Sequence, residues 1–340
     1  MHQIAVDVAI IGAGTSGCFI ASLLHEAGYN CTLIEKSRGL GGRCSRRRVS
    51  DNGYSVDLGA SEFTANNIDN AFLRKKLSGW LEAGYLIPWQ CQVSLFDAAE
   101  KSKTIEVLCA SPSMNTWHKK IAGHINTTTG CKVHSLKKEE GCWRLLDESG
   151  QLISLANKVI VTSPAEQAFE LLKDFEGFNY CHSASANSLS QYVCAVGFTE
   201  PLNVNADIFR GGHKVLASAI CENNKPARSL VCPISQIWLL HSTHEWARQN
   251  SASDHQQTAI EMTDEFCRHF DAQTEPKILT SHYWRLARHH IEAGPKPNFI
   301  WHDELQIGCC GDWLDSADIA GAFNSSLALF EKLQTLRHKD

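Results

Sequence analysis

Val6-Asp7-Val8-Ala9-Ile10-Ile11-Gly12-Ala13-Gly14-Thr15-Ser16-Gly17 sets a short apolar run against three glycines spaced Gly-x-Gly-x-x-Gly. The run is the β-branched kind that a buried parallel strand needs. Residues 16–27 then show a helical pattern that Gly28 closes, and residues 31–34 make a second strand ending at Glu35. In a strand–helix–strand unit of this length each glycine has a task. Gly12 permits the tight turn, Gly14 admits a diphosphate to the backbone, and Gly17 lets the helix pack on the strand. The diphosphate rests on the N–H groups opening the helix at Thr15 and Ser16. Glu35 stands where a ribose hydroxyl pair is held. The unit predicts dinucleotide binding.

Which dinucleotide follows from the next residues. Lys36-Ser37-Arg38-Gly39-Leu40-Gly41-Gly42-Arg43 comes directly after Glu35. Gly41 and Gly42 bring backbone close to a cofactor, and Arg43 neutralises its diphosphate. Arg47 and Arg48 are expected in a solvated basic loop. At the other end, Gly311-Asp312-Trp313 follows a predicted strand over 306–310, and a helix is expected over 317–335. Asp312 suits ribityl hydroxyls. A helix start at Ile319, Ala320 and Gly321 suits the N1–C2=O edge of a flavin, where reduction leaves negative charge. These features predict FAD, bound by both ends of the chain.

The 340 residues are enough for two domains. The net charge of −5 argues against nucleic acid or an anionic membrane as partner. No apolar run reaches the length that spans a bilayer. Asp7 interrupts the run over residues 4–11, so it does not resemble a signal peptide, and a cytoplasmic protein is expected. The 14 cysteines contain no Cys-x-x-Cys pair, which predicts reduced, mostly buried thiols. Only His241 and His244 approach metal-site spacing, and no metal is expected.

Helices are also expected over 68–83 and over 114–125 behind Ser113, with a hairpin of residues 132–136 and 142–146 turning at Glu139-Glu140-Gly141. A strand over 158–161 leads to Ser163-Pro164 and a helix. Further strands are expected over 192–198, 215–219, 237–242 and 278–284. The architecture is therefore α/β: a Rossmann-like FAD-binding domain with an inserted β-rich substrate domain. The expected division gives 1–80, 127–172 and 290–340 to the FAD domain, and 81–126 with 173–289 to the substrate domain.

The chain resembles renalase-type flavoproteins of the bacterial branch, within the flavin amine oxidase superfamily, over nearly its whole length. The resemblance rests on Ser37-Arg38-Gly39 with Gly41-Gly42-Arg43, and on Asp57-Leu58-Gly59-Ala60 followed by Phe63-Thr64-Ala65. It continues through Val161-Thr162-Ser163-Pro164, Leu240-His241-Ser242, Trp284 with Ala287-Arg288, and Gly311-Asp312-Trp313. It implies non-covalent FAD in a p-hydroxybenzoate-hydroxylase-like two-domain fold. Gly59, Ala60, Lys36 and Val133 then join the cofactor residues. The implied activity is oxidation of 2- and 6-dihydro isomers of NAD(P) to NAD(P)+, with hydride passing to flavin N5 and dioxygen returning as hydrogen peroxide. His241 and Trp284 fall at matching family positions and are expected to line the substrate pocket.

Three departures lie on the substrate side. Ser61-Glu62 stands where bacterial renalases carry Gln-Tyr, which makes Glu62 a candidate pocket carboxylate. The stretch from Ala219 to Arg228 lacks the family's first arginine, and Ala287-Arg288-His289 replaces Ala-Arg-Pro. An amine oxidase or desaturase acting on another small molecule is the alternative, with Glu62 pairing a cationic substrate. An FAD-binding protein without turnover is the third.

Overall fold

The strand Val6–Ile11 lies inside a sheet whose order runs Ile300–His302, Ile307–Cys309, Leu152–Val161, Val6–Ile11, Cys31–Glu35, Asn126–Thr129. The computed structural model describes residues 5–49, 54–97, 102–228 and 234–337. Residues 1–4, 50–53, 98–101, 229–233 and 338–340, which the expected domain division includes, lie outside them. The central pairings are parallel, and Ile300–His302 closes one edge antiparallel. Alternation along Val6–Ile11 serves both faces. Val8 and Ile10 join the core of helix Thr15–Glu26, with Phe19, Ile20 and Leu24, whereas Ala9 and Ile11 join Val159, Val161, Trp143 and Leu172 behind the sheet. Helix Ile319–Arg337 packs beside Thr15–Glu26.

A second sheet has the order Lys277–His289, Ser188–Phe198, Gln236–Ser242, Leu216–Cys221, Ile208–Arg210, Ile87–Ser94, Lys103–Cys109. One face carries Tyr192, Cys194, Trp238 and Leu240 against Met262 and Phe266 of helix His255–His269. The other presents Val193, Ala195, Leu239, Ile208 and Ile220 to the core that includes Thr15–Glu26. The two sheets therefore share one apolar interior. Each fully buried aliphatic side chain there contributes about 1.5–3 kcal/mol.

Several elements differ from expectation. The helix foreseen from residue 68 is Ala71–Glu82, because Asn70 caps it by accepting from Phe72 and Leu73 N–H. Ser113 is not the cap of the next helix, Asn115–Ala122. Its hydroxyl donates to Asn115, and the Met114 N–H is taken by the distant carboxylate of Asp57. This helix packs on Thr15–Glu26, while Ile87–Ser94 and Lys103–Cys109 before it lie in the second sheet. The hairpin pairs Ser135–Glu139 with Cys142–Leu146, and Val133 lies before its first strand. The turn is Glu140-Gly141, with φ of 50° and 82°, the left-handed pair that a two-residue hairpin requires. Arg46–Arg48 is exposed, but as a strand paired with Ser55–Asp57 rather than a loop.

Candidate functional site

The glycine turn after Val6–Ile11 has the geometry its sequence requires. Gly12 has φ of 104°, and a Cβ on Gly17 would stand 1.9 Å from the Gly12 carbonyl oxygen. A Cβ on Gly14 would meet nothing within 4 Å. Helix Thr15–Glu26 has neither a side-chain cap nor an acid in its first turn. Open space therefore faces unclaimed N–H groups, the arrangement an anion needs. Glu35 is buried, with one carboxylate oxygen accepting from Ala13 N–H and the other from Ser37 N–H, each at 2.8 Å. Both oxygens keep a further lone pair for a ribose. Lys36 beside it is exposed, and Val133 is buried in the same core as Ile34.

The second glycine turn folds onto the first. Gly41 N–H donates to the Ala13 carbonyl at 2.8 Å, and a Cβ on Gly42 would lie 3.0 Å from the Gly14 Cα. One residue escaped the sequence reading. His118 Nε2 meets the Thr15 hydroxyl at 3.0 Å, and burial pushes its pKa down to about 3. A neutral imidazole thus holds the first residue of the anion-facing helix. Thr15 and His118 are 103 positions apart, so no local pattern announces the pair.

Arg43 and Asp312, expected at the diphosphate and the ribityl chain, are bonded to each other, Nη2 to Oδ1 at 2.5 Å, and Arg43 Nη1 donates to the Ala287 carbonyl at 3.2 Å. The loop from the first sheet, an edge strand of the second and the C-terminal segment meet at this guanidinium. Gly311 N–H donates to Ser325, and the Trp313 indole donates to the Ser163 carbonyl. The helix expected near 317 begins at Ile319. Asp318 accepts from Gly321 N–H at 2.8 Å, so that N–H is not open to a ligand, while Ile319 and Ala320 are buried in the first turn. Arg43, Ala165, Arg288, His289, Asp312 and Trp313 line a cleft between the sheets. Burial lowers the His289 pKa below its ordinary value.

Gly59 and Ala60 form the hinge of the site. Leu58 N–H donates to Ser45, Ala60 N–H donates to the Arg43 carbonyl, and a Cβ on Gly59 would stand 1.7 Å from that same oxygen. Two candidate pocket residues reach the hinge from the second sheet. Trp284 Nε1–H donates to the Leu58 carbonyl at 2.5 Å. His241 Nε2 lies 3.3 Å from the Gly59 carbonyl and its Nδ1 lies 3.3 Å from Ser218 Oγ. With both ring nitrogens engaged and its pKa pushed down to about 4, chiefly by burial, His241 is a neutral, satisfied strand histidine with no nitrogen turned to a substrate. His244 points elsewhere, its Nδ1 on the Ser190 carbonyl. Glu62 is joined to Arg210 at 2.5 Å, so the carboxylate is already neutralised.

Among the described residues no helix is long and apolar enough to cross a membrane. Residues 10–74 match the model of the NAD(P)-binding Rossmann-like domain. An L-amino-acid oxidase of Siganus canaliculatus is 37% identical over 60 residues, 18% of this chain and 11% of that protein. The matched stretch covers only 10–15% of the length of the L-amino-acid oxidases and desaturases among the curated relatives. Among the solved structures that match over nearly the whole chain are two oxidoreductases. An oxidoreductase from Methanosarcina mazei has a TM-score of 0.72 at 11% identity, covering 96% of this chain and all of that one. Putrescine oxidase bound to putrescine has a TM-score of 0.70 at 12% identity, covering 98% of this chain and all of that one. Residues 10–74 thus carry an NAD(P)-binding Rossmann-like domain, and the chain as a whole shares the mixed α/β fold of these two solved structures.

Proposed function

We propose that the chain is an oxidase that holds FAD without a covalent link and oxidises a dihydronicotinamide dinucleotide isomer to NAD(P)+. The Rossmann signature alone does not choose between dinucleotides, since NAD and FAD share its diphosphate and ribose. The choice of FAD rests on the second glycine turn against Gly14 and on the C-terminal segment that Arg43 gathers into the same cleft. Thr15 and Ser16 would take the diphosphate on backbone N–H, and Glu35 the adenosine ribose. The free oxygen of Asp312 would take the ribityl hydroxyls. Bound there, FAD would supply a hydride acceptor at N5 and a route for the electrons to dioxygen, giving hydrogen peroxide.

The charge of the cleft carries the choice of substrate. Arg43 and Arg288 line it with Asp312; Arg43 is paired with Asp312, and Arg288 has no ion-pair partner among the described residues. The one carboxylate that sequence offered to a cationic amine, Glu62, is held by Arg210. A nucleotide bearing a diphosphate suits the unpaired Arg288 of this surface, while the one carboxylate lining it, Asp312, is already paired with Arg43. Because the substrate's own ring nitrogen drives hydride loss, the protein's part is orientation rather than proton transfer. The neutral, fully bonded His241 fits that part.

Anaerobic mixing of the flavin-loaded protein with 6-dihydro-NAD, putrescine and an L-amino acid tests the reading. The dihydronicotinamide is expected to bleach the flavin and the two amines to leave it oxidised. Bleaching by an amine alone would establish the amine oxidase alternative, and no bleaching by any reductant of these classes would favour a flavin protein without turnover.

A further inference from the structure

Asp57, Glu222, Lys225 and Arg228 form an ionic quartet that the proposed chemistry leaves unused. None of the four side chains exceeds 2% exposure. Asp57 Oδ2 accepts from Lys225 Nζ at 3.1 Å and from Arg228 Nη2 at 2.6 Å, while its Oδ1 accepts from Met114 N–H at 2.9 Å. Lys225 also donates to Glu222 at 2.6 Å, and Arg228 Nε lies 3.4 Å from the other oxygen of Glu222. Two acids and two bases leave no net charge. Although burial alone would lower it, Glu222 and Asp57 hold Lys225 above its ordinary pKa.

A buried ion pair gains little over apolar packing of the same volume, so stability alone does not explain the quartet. Its position does. Asp57 ends the strand Ser55–Asp57 and pairs with Arg46, three residues beyond Arg43. The other three follow strand Leu216–Cys221 of the second sheet. The next three residues after Asp57 are tied in opposite directions. Leu58 and Ala60 N–H hold Ser45 and Arg43 on one side, while the Leu58 and Gly59 carbonyls hold Trp284 and His241 on the other.

We propose that Asp57, Lys225, Glu222 and Arg228 are positioning residues that fix the Leu58-Gly59-Ala60 backbone between the Arg43 loop and the second sheet, and so set the spacing of the cleft. Only its bearing on turnover rests on the FAD reading.

The test is native-state hydrogen exchange of the full chain. In the unmodified protein the amides of Leu58 and Ala60 should exchange as slowly as those of Ile10 and Leu33 in the first sheet, and exchange at loop rates overturns the proposal. The double variant Asp57→Asn with Lys225→Met keeps the Glu222–Arg228 pair and strands no buried charge. In it, Leu58, Ala60 and the Trp284 indole N–H should exchange about tenfold faster while Ile10 and Leu33 hold. Unchanged rates at the hinge, or a rise shared equally by Ile10 and Leu33, overturn the proposal. None of these readouts involves the cofactor, so their failure is separable from a failure to bind flavin.

Discussion

Arg43 and Asp312 stand 269 positions apart in sequence and share an ion pair of 2.5 Å at the junction of the two sheets. The pair joins the glycine-rich loop to the C-terminal segment, and through the Ala287 carbonyl it also grips the edge strand of the second sheet. Removing the cation leaves a largely buried carboxylate where the proposed cofactor passes.

Arg43→Met should therefore weaken FAD binding by about ten- to a hundredfold, the range expected when a charge-assisted contact is lost and its partner is stranded. Titration of apoprotein with FAD measures it. Arg248→Met, at a solvent-exposed arginine, is the control and should bind as the parent does. Equal affinities in all three proteins would contradict the role given to Arg43.

Gly14 and Gly17 should fail differently. Space at the Gly14 Cβ position is open, so Gly14→Val should fold and yet lack flavin colour, because the side chain fills the diphosphate cradle. Gly17→Ala drives a methyl into the Gly12 carbonyl and should cost about 3 kcal/mol of stability through overpacking. Thermal unfolding alongside the visible spectrum separates the two. A coloured, well-folded Gly14→Val protein would move the diphosphate elsewhere.

The first strand–helix–strand unit was legible because its signals are local. Val6 to Gly17 encode a strand, a turn and a helix start within a dozen residues, and Glu35 falls one strand later. Gly311-Asp312-Trp313 was legible as a motif, but its engagement with Arg43 was not, since pairing across 269 positions leaves no periodicity. Local pattern misled at Ser113, where a distant carboxylate, Asp57, claims the N–H beside the expected cap. It placed Glu62 and His241 on the substrate side without showing their partners. Arg210, Ser218 and the Gly59 carbonyl satisfy them, and each comes from another part of the chain. The helix His255–His269 went unread although Asp254 caps it by accepting from Gln256 and Gln257 N–H, because its buried face carries Thr258, Ala259 and Thr263 beside only two large apolar residues, Met262 and Phe266.

The protein should lose stability between neutral pH and pH 5 in a manner that two histidines share. His118 and His241 have ordinary values of 6.5 but fold with values of about 3 and about 4. Below pH 6.5 the unfolded chain binds protons there that the folded chain refuses, so stability is complete above that pH and falls as pH drops toward 4. Each group contributes up to about 1.4 kcal/mol per pH unit within its window. Urea unfolding of His118→Gln and His241→Gln at pH 7 and pH 5 should show a smaller difference than the parent. An equal difference in all three would place both histidines in water.

Trp284→Phe removes the indole donor to the Leu58 carbonyl and keeps most of the packing. It should cost about 1–2 kcal/mol of stability, retain the flavin, and slow flavin reduction by substrate. Colour loss in this variant would assign Trp284 to the cofactor site rather than to the hinge. A variant with unchanged reduction kinetics would remove the hinge from the account of turnover.

The most direct measurement is the visible spectrum and released cofactor of the native protein, purified and then denatured. The account predicts the two-band spectrum of oxidised flavin, and stoichiometric FAD in the supernatant after the protein is precipitated. Protein that stays colourless after incubation with FAD, or that releases a nicotinamide dinucleotide instead, would contradict it.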